Sequence, residues 1–288
     1  MLHKAVKLVR YILNIPLFLL ISVGSIYSYL LKLFDRRNHD TYWEENLQKQ
    51  INKKISKKIF ISKTKFLKFY TPTSISAYRA KSFFTKEPDT LKWLDKNGGK
   101  EKILYDIGAN VGLYSLYYSK KFNSNSYIFE PSFSNLKLIQ NNISLNYLDK
   151  KISIIPNAIH SELGISKLYQ LRRVAGDAVT TFNDKTVFKK MLKNSKAKNS
   201  PSINQTLGLS IDHLQKNKII KKPDLIKIDV DGNEMEVLRG SKKTLSSRKK
   251  LTILVEIKKD KYKGVSNFLK GLKFKLVSHE RNNYIWEK

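Results

Sequence analysis

One stretch of the sequence places an acid, two glycines and an amide side chain between a predicted strand and a predicted helix. It reads Asp106-x-Gly108-x-Asn110-x-Gly112. Glycine lets the backbone approach a ligand closely, and the following helix presents free N–H groups and the positive end of its dipole. The spacing differs from the G-x-G-x-x-G of nicotinamide-binding loops, which disfavours a nicotinamide-dependent enzyme. An acid at the end of the strand suits an ammonium group rather than a pyrophosphate.

A second acid stands at the end of the next predicted strand. Glu130 follows Gly112 by 18 residues and precedes Pro131. A carboxylate at this place can accept two hydrogen bonds from vicinal ribose hydroxyls. Together the two features fit S-adenosylmethionine, which has a ribose and an amino-acid tail but no phosphate. The alternative is an ordinary cluster of turn glycines with a surface Glu.

Further acids end the fourth and fifth predicted strands, where an acceptor molecule would lie. Strand alternation puts Lys227, Asp229 and Asp231 on one face. Methyl transfer to a hydroxyl needs a positioned nucleophile and benefits from a nearby base, for which we favour Asp229 and then Glu256. Two alternatives stay open: Asp229 forms a buried structural ion pair with Lys227, or a divalent ion bridges the carboxylates. We assign no metal ligands.

The sequence resembles the FkbM-type S-adenosylmethionine-dependent methyltransferases. The resemblance is carried by four blocks: EPDTLKWL (87–94), YDIGANVGLYS (105–115), FEPS (129–132) and LIKIDVDGNEMEVLRG (225–240). It implies S-adenosyl-L-methionine as cofactor and methyl transfer to a hydroxyl oxygen. The acceptor it implies is a glycan, a lipid-linked sugar or a small metabolite. We also expect Asn157 and Ala158, which follow the third strand, to lie near the adenine.

The candidate site residues lie in a part of the sequence where predicted strands and helices alternate up to the C-terminus. We predict strands at 103–107, 126–130, 152–155, 225–230 and 251–257, helices at 111–120, 135–146, 234–245 and 265–272, and a closing strand pair at 274–277 and 283–286. Such alternation indicates a parallel sheet covered on both faces. The expected fold is therefore α/β, a Rossmann-like, doubly wound, mostly parallel sheet of the class I methyltransferase type.

Three regions are predicted along the chain. Residues 1–40 form a hydrophobic membrane-anchor segment, residues 41–100 an N-terminal extension of mixed helix and strand, and residues 101–288 the methyltransferase domain. Within the extension we predict strands in 59–70 and a short helix at 89–96. An insertion at about 164–222 interrupts the alternation. It contains a strand candidate at 167–171 and a stretch rich in Lys, Asn and Ser at 185–202. We expect it to cover the substrate side of the sheet, because long loops inside compact domains are usually functional or mobile.

The N-terminal segment contains 21 uncharged residues, 11–31, of which 15 are apolar. A helix of that length spans about 31 Å, which matches the hydrocarbon core of a bilayer. A cleaved signal peptide and a buried or interfacial helix are the alternatives. Basic residues flank both ends, so the orientation is argued from the cytosolic supply of the methyl donor. We predict a membrane-associated chain whose catalytic domain lies on the cytoplasmic side.

The chain carries a formal net charge of +31 over 288 residues. Its apolar fraction of 41% predicts a packed core, and the absence of cysteine excludes disulfides and thiolate chemistry. Only nine of the 55 basic residues are Arg, which disfavours base-specific nucleic-acid recognition. The rival is a basic membrane- or RNA-associated binding protein with a degenerate methyltransferase fold, against which the intact cofactor motifs count. The oligomeric state is left open.

Overall fold

The structure, a computed structural model, describes residues 59–62, 66–172, 174–177, 180–194 and 201–288. They belong to a compact unit that runs from Lys58 to Lys288. The predicted membrane segment, residues 1–40, lies outside the described residues. Within the described ranges, no helix has both the length and the apolar character needed to cross a bilayer.

The described residues form both strands and helices, each numbered in chain order. The strands are β1 (Ile59–Ile61), β2 (Lys68–Tyr70), β3 (Leu104–Ile107), β4 (Ser126–Phe129), β5 (Ile152–Ile155), β6 (Ala158–Ile159), β7 (Gly164–Gln170), β8 (Thr180–Phe182), β9 (Ser202–Leu209), β10 (Leu225–Ile228), β11 (Thr252–Glu256), β12 (Lys275–Glu280) and β13 (Asn283–Glu287). The helices are α1 (Ser74–Lys86), α2 (Pro88–Asn97), α3 (Leu113–Phe122), α4 (Phe133–Leu145), α5 (Lys185–Asn194), α6 (Ile211–Lys216), α7 (Glu234–Arg239), α8 (Lys242–Ser247) and α9 (Tyr262–Gly271).

Seven of these strands form one sheet in the order β12-β13-β11-β10-β3-β4-β5. The five strands from β11 to β5 are parallel, and β13 runs antiparallel to β11. Ile107 at the end of β3 pairs with Ile228 of β10 and with Phe129 of β4, so the three carboxyl ends meet at one edge. Chain order reverses between β3 and β10, which makes this edge a ligand-binding switch point. The predicted doubly wound α/β fold is confirmed.

The sheet is buried on both faces because its parallel strands are nearly continuous apolar runs. Leu104, Leu225 and Leu254 belong to the core on one face, and Ile226 and Ile253 to the core on the other. All of these side chains are fully or almost fully buried. The sheet therefore gives the loops at its carboxyl edge a rigid base.

The described part of the N-terminal extension packs on the same core. Strands β1 and β2 pair in antiparallel fashion, and Phe69 and Trp93 are buried in the cluster that also holds Leu116 of α3. The indole Nε1–H of Trp93 donates to Thr252 Oγ1 at 2.8 Å. The strands predicted within 59–70 and the helix predicted at 89–96 are present, whereas α1 is absent from the sequence-based prediction.

The prediction of one continuous helix at 234–245 is wrong, because the structure has two separate helices there, α7 and α8. At Gly240 the chain runs against the backbone of His160, and a Cβ on Gly240 would lie 2.4 Å from the His160 carbonyl oxygen. The carboxylate of Asp212 accepts from the N–H groups of Lys243 and Thr244 at 2.8 and 2.7 Å. This capping of the first turn of α8 favours a new helix start over a continuous helix.

The predicted insertion contains a second sheet of four strands in the order β6-β9-β7-β8. Sequence reasoning predicted a single strand at 167–171 and an irregular stretch at 185–202. The structure instead has β7 paired along its whole length with β9, and helix α5 begins at Lys185. Residues of this small sheet form one wall of the candidate site.

Candidate active site

Two cavities open at the carboxyl edge of the large sheet, and both are lined by Gly108, Asn110 and Asp229. The first encloses about 550 Å³ of empty space that opens to solvent, and the second about 470 Å³. The first is lined further by Ile107, Glu130, Pro131, Asn135, Ala158, Ile159, Leu168, Thr180, Phe182, Val230, Asp231 and Asn233. The second is lined further by Arg79, Ser82, Phe83, Lys86, Glu87, Ala109, Val111, Leu113, Tyr114 and Lys227.

The two glycines of the β3–α3 loop are required by the protein's own packing. Gly108 has φ +79°, and a Cβ there would lie 2.0 Å from the carbonyl oxygen of Asp229. Gly112 has φ +78°, and a Cβ there would lie 3.3 Å from Ile128 Cδ1. An L-residue side chain is strained at these φ values. Glycine at 108 thus brings the loop directly against the end of β10, so that one ligand can touch both.

Asn110 and Glu130 are held together at the first cavity. The Asn110 N–H donates to Glu130 Oε2 at 2.8 Å, and Ser132 N–H donates to Glu130 Oε1 at 2.9 Å. Burial raises the pKa of Glu130 to about 7, against the opposing effect of these hydrogen bonds. Asn110 Nδ2 donates to the Asp177 carbonyl oxygen at 2.7 Å, but its buried Oδ1 has no hydrogen-bond partner among the described residues. That oxygen is therefore available to a donor on a ligand.

Asp106 lies beneath the site and lines neither cavity. Its side chain is fully buried, Oδ2 accepts from the Ser115 hydroxyl at 2.8 Å, and Oδ1 lies 3.9 Å from Lys227 Nζ. Burial raises the pKa of Asp106, although Lys227 and Ser115 oppose the shift. The sequence-based expectation was direct contact with the cofactor. The structure places Asp106 beside Lys227, and its Oδ1 has no hydrogen-bond partner among the described residues. Contact of Asp106 with the cofactor stays a prediction.

Asp229 reaches both cavities from the end of β10. Its Oδ2 lies 2.9 Å from Nζ of Lys227, whose side chain is only 2% exposed, whereas that of Asp229 is 36% exposed. Burial favours the neutral acid, but Lys227 and a hydrogen bond from Glu256 outweigh it and lower the pKa of Asp229. The predicted ion pair with Lys227 and a cavity-facing carboxylate therefore coexist.

Glu256, the last residue of β11, interacts electrostatically with Asp229. The negative charge of Asp229, burial and the hydrogen bond between the two side chains raise the pKa of Glu256 to about 8. A raised pKa on one of two neighbouring carboxyl groups is the expected result of their mutual repulsion. Glu256 itself lines neither cavity. Asp229 carries the negative charge that a general base requires.

Two further residues predicted to bind the cofactor, Asn157 and Ala158, differ in whether they line a cavity. Ala158 lines the first cavity, whereas Asn157 is not among the residues of either lining. Among the residues that the structure describes, no group of three or more His, Asp or Glu side chains is arranged to hold a metal ion.

Sequence reasoning missed residues from the insertion and from the N-terminal extension. Phe182 comes from the small sheet, and Asn233 Nδ2 donates to its carbonyl oxygen at 2.9 Å. Asn233 belongs to the family-like block 225–240, but the sequence pattern gave it no role. Arg79 and Glu87 line the second cavity. Glu87 opens the family-like block 87–94, which was the available signal, whereas no sequence pattern pointed to Arg79.

The residues present fit S-adenosylmethionine. The first cavity offers a buried carboxyl group at Glu130 for ribose hydroxyls and an apolar wall that includes Ala158, Ile159 and Phe182. At the junction of the cavities, Asn110 Oδ1 is a buried acceptor with no protein donor within the described residues. These features match a nucleoside joined to a cationic tail.

Sequence comparison relates this chain to known methyltransferases. Hexuronic acid methyltransferase AglP of Haloferax volcanii is 26% identical over 161 residues, which cover 56% of this chain and 59% of that protein. The match therefore spans less than two thirds of that relative's length. Methyltransferase sdnD of Sordaria araneosa is 24% identical over 191 residues, covering 60% of this chain and 72% of that protein.

A solved structure of magnesium protoporphyrin IX methyltransferase from Synechocystis PCC 6803 superposes with a TM-score of 0.42 at 10% identity, covering 75% of this chain and 83% of that one. That likeness is too distant to inform function. The sequence pattern of the methyltransferase FkbM domain, in contrast, matches residues 106–283, more than half of the chain. The chain belongs to the FkbM family of S-adenosylmethionine-dependent methyltransferases.

Proposed function

We propose that this chain methylates a hydroxyl oxygen of a hexuronic acid unit in a glycan, with S-adenosylmethionine as donor. The observation that carries the reaction type is Asp229, a cavity-lining carboxylate held 2.9 Å from the buried ammonium of Lys227 beside the Gly108–Asn110 loop. The acceptor class is supported by the hexuronic acid methyltransferase activity for which the relative from Haloferax volcanii is named. The net charge of +31 also suits an anionic acceptor.

The first cavity would hold the nucleoside of the cofactor. The Glu130 carboxylate would accept from the ribose hydroxyls, and Ala158 and Phe182 would contact the adenine. S-adenosylmethionine, when bound, supplies an electrophilic methyl group on a sulfonium. Gly108 and Asn110 line both cavities and would position the cofactor between them.

Asp229 would act on the acceptor. Its carboxylate, fixed by Lys227, would accept a hydrogen bond from the acceptor hydroxyl. It would take the hydroxyl proton as the oxygen bonds to the methyl carbon and the bond between that carbon and sulfur breaks, which leaves a neutral thioether. Glu256 donates to Asp229 and orients it. Lys227 keeps Asp229 ionised before the reaction, because a buried ammonium 2.9 Å away favours the charged carboxylate.

The acceptor class is tested with a matched pair of sugars. A glucuronate-bearing oligosaccharide is compared with the same oligosaccharide after reduction of its carboxylate to the alcohol, and methylation is followed by mass spectrometry. We expect kcat/KM to be at least tenfold higher for the acid, since a charge-assisted contact contributes about 1.5–3 kcal/mol. Equal rates would show that the carboxylate is not recognised and would remove the hexuronic acid from the proposal.

A further inference from the structure

Five of the thirteen residues that line the second cavity come from a segment that precedes the matched family domain. Arg79 and Lys86 belong to α1, and Glu87 links α1 to α2. All three stand before residue 106, where the family match begins. The cavity meets the nucleoside cavity at Gly108, Asn110 and Asp229. A ligand that spans both cavities therefore passes through this junction.

The negative side of the second cavity is Glu87. Its Oε2 accepts from the Tyr114 hydroxyl at 2.7 Å, and its Oε1 lies 3.0 Å from Lys86 Nζ. Burial favours the neutral acid, but Lys227 and other partners outweigh it, and the pKa of Glu87 is lowered. Glu87 therefore presents an ionised carboxylate whose side chain is 15% exposed.

Arg79, Lys86 and Lys227 are the basic residues that line the same cavity, and Arg79 is the one guanidinium among them. Its Nε donates to the carbonyl oxygen of Gly176 at 2.5 Å, which fixes the guanidinium against the neighbouring loop. Its charge is one of the influences that lower the pKa of Asp229, so it acts on the junction of the cavities. A guanidinium is suited to a carboxylate because its N–H groups form a planar fork.

Opposite charges at one end of a nucleoside cavity match a zwitterion. Asp106 Oδ1 and Asn110 Oδ1 are both buried acceptors without a hydrogen-bond partner among the described residues, but only Asn110 lines the cavities. We infer that Glu87 and Asn110 bind the ammonium group of the amino-acid tail of S-adenosylmethionine, and that Arg79 binds its carboxylate. This inference rests on the proposed use of that cofactor, but not on the identity of the acceptor.

The test is calorimetry on the 288-residue chain with two ligands that differ in the tail. S-adenosylhomocysteine carries the amino-acid tail, and 5′-methylthioadenosine has the same nucleoside and thioether without it. For Glu87→Gln and for Arg79→Gln we expect the Kd of S-adenosylhomocysteine to rise about tenfold or more, because each loses a charge-assisted hydrogen bond. The Kd of 5′-methylthioadenosine is expected to stay within about twofold of wild type.

A third ligand separates the two charges. Decarboxylated S-adenosylhomocysteine keeps the ammonium group, so Arg79→Gln is expected to leave its Kd unchanged while Glu87→Gln raises it. Asp89→Asn and Lys81→Gln are the matched controls, since they remove charges of the same signs from the same segment and line neither cavity. Thermal melting of each variant shows whether it is folded, and the two variants test the inference independently.

Three outcomes would overturn the inference. One is a Kd of S-adenosylhomocysteine that is unchanged in both folded variants. Another is an equal loss for the two ligands, which would indicate a general disturbance of the nucleoside cavity. The third is unchanged binding of all ligands with a raised KM for a sugar acid in Arg79→Gln, which would assign Arg79 to the acceptor. A wrong acceptor alone would change none of these Kd values, so failure of the proposed acceptor is recognised separately.

Discussion

Carboxyl groups of the site differ in protonation because their surroundings differ. Lys227 holds Asp229 ionised, whereas the charge of Asp229 raises the pKa of Glu256 to about 8. Burial raises the pKa of Glu130 to about 7. Residue type alone would predict three ionised acids at neutral pH. The placement of Lys227 and the burial of Glu130 and Glu256 therefore decide which group can act as base.

The two acids of the Asp229–Glu256 pair are expected to respond differently to neutral replacement. Asp229→Asn removes the proton acceptor, and we expect kcat at pH 7 to fall at least 100-fold, the usual range for loss of a general base. Glu256→Gln replaces one hydrogen-bond donor by another, so kcat at pH 7 is expected to fall less than about tenfold. Steady-state rates of the two variants measure this difference. Equal losses would show that Glu256 has a role beyond donation to Asp229.

Cofactor affinity is expected to depend on pH through Glu130. Ribose hydroxyls donate to the ionised carboxylate, so binding lowers a pKa that stands at about 7 in the free chain. Affinity should therefore rise with pH, by up to about tenfold between pH 6 and pH 8. Calorimetry with S-adenosylhomocysteine measures the profile.

The variants Glu130→Gln and Asp231→Asn show which of two acids causes the pH dependence of cofactor affinity. Asp231 lines the same cavity as Glu130, and burial raises its pKa to about 7 as well. The profile is expected to flatten in Glu130→Gln and to persist in Asp231→Asn. A flat profile for the unmodified chain would show that Glu130 does not bind the ribose in its ionised form.

At the scale of elements, the site depends on how closely the β3–α3 loop approaches the end of β10. Gly108→Ala would add a Cβ 2.0 Å from the Asp229 carbonyl oxygen at a φ of +79°. We expect it to lower the free energy of unfolding by about 3 kcal/mol or more, since both a clash and backbone strain result. Gly271→Ala, where a Cβ meets nothing within 4 Å, is the control and should change stability by less than about 1 kcal/mol. Urea unfolding compares them, and similar stabilities would contradict the close approach.

The elements of the parallel sheet were predictable because their apolar runs are short and bounded by turn residues. The strand predicted at 152–155 coincides with β5, and 225–230 extends β10 by two residues. The part of the prediction that was wrong, a single helix at 234–245, depended on contacts between distant segments. The break at Gly240 follows from the backbone of His160 and the cap from Asp212, neither of which is visible in the local periodicity of 234–245.

The site residues that directly follow sheet strands were predictable from the sequence. The positions of residues that depend on the packing of helices against the sheet were not. Glu130 and Asp229 directly follow β4 and β10, so their meeting at one edge follows from parallel pairing. The burial of Asp106 depends on the packing of α3 and on Lys227. Arg79 enters through α1, a helix without a clear apolar period, so its place at the cavity needed the tertiary structure.

At the scale of the whole molecule, the N-terminal segment stays a prediction. Residues 11–31 lie outside the described residues, and we propose on their composition that they attach the chain to a membrane. The full chain is expected to sediment with membranes and to resist extraction at high salt, because apolar burial is not screened by ions. A variant that lacks residues 1–40 should be released. Sedimentation of that variant in equal yield would contradict the anchor and point to the basic surface instead.

The side of the membrane is tested separately. The proposal of a cytoplasmic catalytic domain rests on the supply of the methyl donor. A reporter joined after Lys288 is expected to be active only on the cytoplasmic side. Activity on the opposite side would contradict it, without bearing on the chemistry of the site.

The central claim is that a methyl group is transferred from S-adenosylmethionine to a hydroxyl of a sugar acid, with Asp229 as the base that takes the hydroxyl proton. It is tested most directly by incubating the chain with trideuteromethyl-labelled S-adenosylmethionine and a glucuronate-bearing oligosaccharide, followed by mass spectrometry of the sugar. We predict one labelled methyl group, as an ether on a ring hydroxyl, with at least 100-fold less product from Asp229→Asn at the same degree of cofactor binding. An unlabelled sugar, a label on the carboxylate as an ester, or equal product from Asp229→Asn would contradict the claim.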